Sequence, residues 1–108
     1  MSVDERTFDE AADTILRRLE KSLGDFDPDE CDASLAMGVL KIEFRGHSQF
    51  VVNSHRAARQ VWLAANHQAW HFSYDPNAER WVDPKSGDEL LSLLGKLVGE
   101  KVGTPVQL

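Results

Sequence analysis

At 108 residues the chain is long enough for one domain and short for two. Its 42% hydrophobic and 28% charged residues are ordinary for a globular protein. The formal net charge of −6 is unevenly spread: residues 1–34 hold eleven acids against four bases, residues 35–108 seven against eight. An acidic first third repels phosphate backbones and attracts cations or basic protein surfaces, which argues against nucleic acid as a partner.

The longest apolar run, Val61 to Ala65, is far short of the roughly 20 residues of a membrane span. The opening MSVDERTFDE is acidic and lacks the basic-then-apolar order of a secretory signal. With a single cysteine, Cys31, no internal disulfide can form. The expectation is a cytoplasmic protein in a reducing compartment, without membrane attachment.

Residues 3–23 read as a helix, because Phe8, Ala12, Ile15, Leu19 and Leu23 recur at steps of three and four. Ser2 with Glu5 has capping-box spacing, and Gly24 is the expected stop. At about 100° per residue, Asp9, Asp13 and Glu20 fall in one stripe beside the apolar face. The chain then enters Asp25-Phe26-Asp27-Pro28-Asp29-Glu30-Cys31-Asp32, where Pro28 blocks further helix. This segment is expected to carry the acidic stripe into a loop and a first short strand.

From Leu35 to Asp83 the period changes to two. Leu40, Ile42 and Phe44 alternate with Lys41, Glu43 and Arg45, as in a strand with one wet face. After a turn at Gly46-His47-Ser48, strands are predicted at Gln49–Asn53, Val61–Ala65, Trp70–Tyr74 and Arg80–Val82, with Asp75-Pro76-Asn77 turning between the last two. Short connections imply an antiparallel meander.

The helical period returns with Leu90, Leu91, Leu94, Leu97 and Val98, and Ser86 with Glu89 repeats the capping-box spacing. Gly95 and Gly99 are expected to weaken this helix, each by about 1 kcal/mol relative to alanine. Both helices need cover for their apolar stripes, and one face of the sheet supplies it. The predicted fold is α+β: a single-domain two-layer sandwich, with the N- and C-terminal helices on one face of a mainly antiparallel sheet of five to seven strands.

The acidic ridge can be a plain solvated face. Yet few bases interleave with the acids between Asp25 and Asp32, and carboxylate oxygens suit hard cations. The calcium-loop pattern is missing, so any metal should be held weakly and with little discrimination among hard ions. His47, His55, His67 and His71 have no metal-ligand spacing and read as surface or hydrogen-bonded histidines, and Cys31 reads as an inert thiol. No nucleophile motif, Gly-rich phosphate loop or HExxH is present, so no enzyme is expected. In the strand Val61–Ala65, Val61 and Leu63 face the helices and Trp62 the opposite side, as does Asn53 from its own strand. Two readings stay open there: a tryptophan stacked on its neighbours, or a partner anchor among amide side chains.

Taken together, these residues resemble the frataxin family over essentially the whole chain. The resemblance is carried by the acidic first helix and loop, Gly38-Val39-Leu40, Asn53 followed by Gln60-Val61-Trp62-Leu63-Ala64, Trp70-His71-Phe72, Trp81, and Ser86-Gly87 with Leu90 to Leu94. It implies the sandwich fold derived above and an iron-binding protein of iron–sulfur cluster assembly. Such a protein docks on the cysteine desulfurase and the iron–sulfur scaffold protein, regulates the desulfurase and delivers iron.

By position, the resemblance assigns weakly bound ferrous or ferric iron to Glu20, Asp25, Asp27, Asp29, Glu30 and Asp32, with Asp9 and Asp13 flanking, and partner contact to Asn53, Gln60 and Trp62. Lys21, Gly24 and Ser34 stand where relatives often carry further acids, which reduces the expected iron capacity. His55 and Ala57 replace the usual glutamine and proline near the scaffold contact. The protein is expected as a monomer or as an iron-dependent oligomer. Two alternatives stand beside this reading: an acidic adaptor for which metal is incidental, and a ferroxidase-type iron-handling enzyme.

Overall fold

The computed structural model describes residues 3–108. Helix α1 (Glu5–Leu23) is followed by six strands, β1 (Cys31–Ala36), β2 (Val39–Phe44), β3 (Gln49–His55), β4 (Gln60–Ala65), β5 (Gln68–Asp75) and β6 (Arg80–Val82), and then by α2 (Leu90–Val102). A short 3-10 turn, Arg56–Ala58, joins β3 to β4. The strands lie in chain order, each antiparallel to the next, which is the expected meander. Both helices cover one face of this sheet, as their apolar stripes required.

The core lies between the layers. Phe8, Leu16, Leu19 and Leu23 of α1 and Leu90, Leu94 and Val98 of α2 meet Leu40, Ile42, Phe50, Val52, Val61, Leu63 and Phe72 of the sheet, all essentially inaccessible. The Phe8 ring meets Trp81 edge-on, with centroids 5.8 Å apart, which ties the start of α1 to the last strand. The alternation predicted for β2 through β4 holds residue by residue, and its outward members form an uncovered sheet face.

Two helix starts differ from expectation. Helix α1 begins at Glu5, not at residue 3, because the Asp4 carboxylate accepts the Thr7 amide at 2.7 Å and caps the first turn. Those hydrogen bonds hold the Asp4 carboxyl below its ordinary pKa. The proposed Ser2 cap lies outside the described residues. For α2 the cap is Glu89 itself, which accepts the amides of Leu91 and Ser92, while Ser86 accepts the Asp88 amide instead. The Ser86–Glu89 capping box is therefore corrected: the first helical residue is Leu90, too far along the chain for a serine cap at position 86. Strands β3 and β5 are also longer than expected, because cross-strand pairing carries β3 to His55 and β5 from Gln68 to Asp75.

Gly95 and Gly99 do more than weaken α2. The chain turns at Gly103 and runs back along the helix, and a methyl group on Gly95 would lie 2.9 Å from the Val106 carbonyl oxygen. The same position on Gly99 lies 2.9 Å from the Thr104 carbonyl oxygen. Val106 and Leu108 then pack on the core, and Arg18 of α1 donates to the Leu108 oxygen at 3.2 Å, so the tail bridges both helices. This arrangement predicts a sign reversal. Gly95→Ala should destabilise the full chain, because the tail must move off the helix. In a chain ending at Gly103 the same change should stabilise by about 1 kcal/mol, the alanine propensity gain alone. Thermal melts of the four proteins test this, and stabilisation in both backgrounds would refute close tail packing.

Candidate functional site

Two surfaces of different chemistry emerge, one centred on the helix side and the loop, the other on the uncovered sheet face. Of the acidic group only Asp32 also points to that sheet face, from edge strand β1, three strands away from β4. The acidic one runs from the exposed flank of α1 through residues 24–30 to β1. Within it the eight predicted carboxylates divide into two groups.

Asp9, Asp13 and Glu20 are engaged. Arg56, just beyond β3, grips Asp9 with two bonds of 2.9 and 3.2 Å and reaches Glu5 at 3.7 Å. These acids raise the Arg56 pKa further, the hydrogen bond and charge of Asp9 first and Glu5 after it. Arg17 closes on Asp13 at 2.9 Å, one helical turn away. Glu20 reaches across to β1, where its carboxylate accepts the Leu35 amide at 3.0 Å.

That last contact has a structural purpose. Strand β1 is an edge, and its outward amides belong to Cys31, Ala33 and Leu35 by the alternation of an antiparallel ladder. The Cys31 amide donates to the Asp27 carbonyl at 3.0 Å and the Leu35 amide to Glu20, so two of the three are covered. Blunting an edge in this way discourages pairing with another chain. Glu20→Ala should therefore speed hydrogen exchange of the Leu35 amide by about tenfold or more, the scale of one lost charge-assisted hydrogen bond. Glu20→Gln keeps an acceptor oxygen and should preserve the protection. Equal exchange in all three proteins would show that Glu20 does not guard this edge.

Asp25, Asp27, Asp29, Glu30 and Asp32 form the other group. All five are exposed, and among the described residues none makes an ion pair. Asp27 shapes the loop, its carboxylate accepting the Asp29 amide at 2.9 Å. Among the described residues no three histidine, cysteine or acidic side chains converge closely enough to hold a metal ion. The acidic surface is thus a spread of solvated carboxylates rather than a cage. Cys31 contributes no thiolate: it is buried, and desolvation, with Asp32 adding to it, pushes its pKa up to about 11.

The second surface is the uncovered sheet face. Around Trp62 the outward residues of β3, β4 and β5 are Val51, Asn53 and His55, then Gln60, Trp62 and Ala64, then Ala69, His71 and Ser73, while the charged Lys41 and Glu43 stand on the neighbouring β2. None of the nine carries a fixed charge. The three residues predicted here for partner contact do come together. Asn53 lies directly opposite Trp62, and the Trp62 indole donates to the Gln60 side-chain oxygen at 3.0 Å. Gln60 in turn donates to the Ser73 hydroxyl at 3.3 Å.

Two residues that sequence reasoning left on the plain surface belong to this cluster. His55 stacks on one face of the indole at 3.9 Å and 13°, and His71 on the other at 4.1 Å and 14°. The stacked reading of Trp62 therefore holds, with imidazoles as its neighbours. The other two histidines differ: His47 and His67 are exposed turn residues in the left-handed region. The signal that separates the pairs was present as strand parity, since His55, Trp62 and His71 all fall on outward positions. It could be used only once the register was known.

A family model described as a Frataxin-like domain matches residues 1–104. The iron-sulfur cluster assembly protein CyaY of Azotobacter vinelandii is 35% identical over 107 residues, covering 99% of this chain and 96% of that protein. CyaY of Pseudomonas fluorescens is 35% identical over 104 residues, covering 96% and 94%. Among solved structures, frataxin from Psychromonas ingrahamii superimposes with a TM-score of 0.86 at 25% identity, covering 97% of each chain.

Proposed function

The chain belongs to the frataxin family, and from that membership we propose that it is a non-catalytic, cytoplasmic component of iron–sulfur cluster assembly. In this reading it docks on the cysteine desulfurase through the acidic surface and on the scaffold protein through the uncovered sheet face, and it modulates the desulfurase. Iron is cargo, held weakly by the exposed carboxylates of residues 25–32.

The observation that carries this reading is the separation of the two surfaces. One presents five exposed carboxylates that make no ion pair among the described residues, which suit a basic partner and hard cations. The other presents a tryptophan at the centre of nine uncharged residues, the composition of a protein–protein interface core. Relatives of nearly equal length that are named for iron–sulfur cluster assembly support the pathway.

A desulfurase turnover assay with and without the protein tests the proposal. Addition of the wild type should change the rate at low salt. The effect should fade as the Debye length falls from about 10 Å at 0.1 M to about 3 Å at 1 M. The triple change Asp25→Asn, Asp27→Asn, Asp29→Asn should weaken it at low salt, and an unchanged rate with wild-type protein, with or without iron, refutes the reading.

A further inference from the structure

Imidazoles cover both π-faces of Trp62, so the surface left to a partner is the edge of the indole. Its one polar group is also spoken for, because the ring N–H donates sideways to Gln60. What stands out from the sheet is therefore an apolar edge held upright.

The two flanking residues are held in different ways, His55 through its ring and His71 through its backbone. His55 uses its Nδ1 to accept the Ala58 amide at 3.3 Å, capping the 3-10 turn. The His71 amide, which lies beyond the reach of the short β6, donates to the buried Asp83 carboxylate at 3.1 Å. One end of the stack is fixed through the His55 ring on the 3-10 turn, and at the other the Asp83 carboxylate holds the β5 backbone from which His71 projects.

We propose that His55 and His71 are positioning residues that hold Trp62 edge-on for a neutral, apolar segment of the scaffold protein. The inference rests on the docking assigned above to this sheet face. A bulky side chain loses rotational freedom when a partner immobilises it, and a clamp that has already ordered it removes that cost from binding. The imidazoles act by shape: they are neither metal ligands nor charge partners in this role.

Scaffold binding by His71→Ala, His55→Ala and His71→Phe separates the possibilities. His71→Ala should weaken affinity by roughly three- to tenfold, the range of one side chain's ordering cost. Because His71 is exposed and loses only its one stacking contact, the melting temperature should fall by no more than about 5 °C. His55→Ala should act in the same direction. His71→Phe, which can stack but can neither take up a proton nor ligate a metal, should restore affinity to within about twofold. Near-UV circular dichroism, taken as the difference from Trp62→Phe, should lose the indole signal in the alanine variants and keep it in the phenylalanine one. Wild-type affinity in His71→Ala overturns the clamp, and so does binding by His71→Phe as weak as that of the alanine variant. If the wild type itself does not bind the scaffold, it is the docking assignment that has failed, and the inference falls with it.

Discussion

Replacing Asp83 by alanine is expected to lower stability by about 3 kcal/mol, the scale of losing hydrogen bonds to a buried charge and leaving their donors unpaired. At 4–8 °C per kcal/mol for a small domain, the melting temperature should fall by more than about 10 °C. Asp83 is the one buried charged residue among those described, at 5% exposure. One carboxylate oxygen accepts the amides of Lys85 at 2.7 Å and Ser86 at 3.3 Å, and the other accepts the His71 amide. The same residue closes its loop through the backbone, with the Asp83 amide bonded to Asp88 and the Gly87 amide to Asp83. Asp83→Asn should lose less than alanine, because its amide keeps one acceptor oxygen but turns a donor toward another donor.

The pH dependence has a definite sign. Burial pushes the Asp83 carboxyl up, but the amides of Lys85, His71 and Ser86 together outweigh it and hold the pKa below the ordinary carboxylate value. In acid the unfolded chain therefore binds this proton before the folded one does. The stabilisation is complete above the ordinary carboxylate range and is lost as pH falls through the lower folded value. Melting curves between about pH 5 and pH 2 should be steeper for the wild type than for Asp83→Ala. Parallel curves would mean that these amides do not depend on the charge.

Trp62→Ala should weaken scaffold binding by about 30-fold or more, the 2 kcal/mol threshold of an interface hot spot. It should leave the salt-dependent effect on desulfurase turnover in place. The tryptophan is half-buried on the uncovered face, so its removal costs the two stacking contacts and little of the core. Stability should fall by about 1 kcal/mol. Titration calorimetry with the scaffold and a thermal melt separate the two effects. A large loss of stability with unchanged scaffold affinity would make Trp62 a structural residue and leave the sheet face without its anchor.

Much of the fold could be read before any coordinates, and for a local reason. Side-chain direction repeats every 3.6 residues in a helix and every two in a strand, so the spacing of apolar residues names the element and the buried face at once. That is why Phe8 to Leu23, Leu40 to Phe44 and Leu90 to Val98 were legible, and why Trp62 could be placed opposite Val61 and Leu63. Charge partition was legible too, because net charge does not depend on folding. Element starts were less so: Asp4 and Glu89 cap the helices in place of the serines, and any of these side chains can accept an amide.

What only the tertiary structure decided are the partnerships between distant segments. Arg56 lies 47 residues from Asp9, and Glu20 lies 15 from Leu35, so apart from Asp13, whose partner Arg17 is one helical turn away, nothing in the acidic stripe by itself marked which carboxylates are engaged. Gly95 and Gly99 read as flaws until the tail was seen lying against them. His55 and His71 join Trp62 because the 3-10 turn and the tight β4–β5 turn bring their strands into that register. Periodicity tells each side chain which way to point; only the closing of turns and the packing of layers tells it whom it meets there.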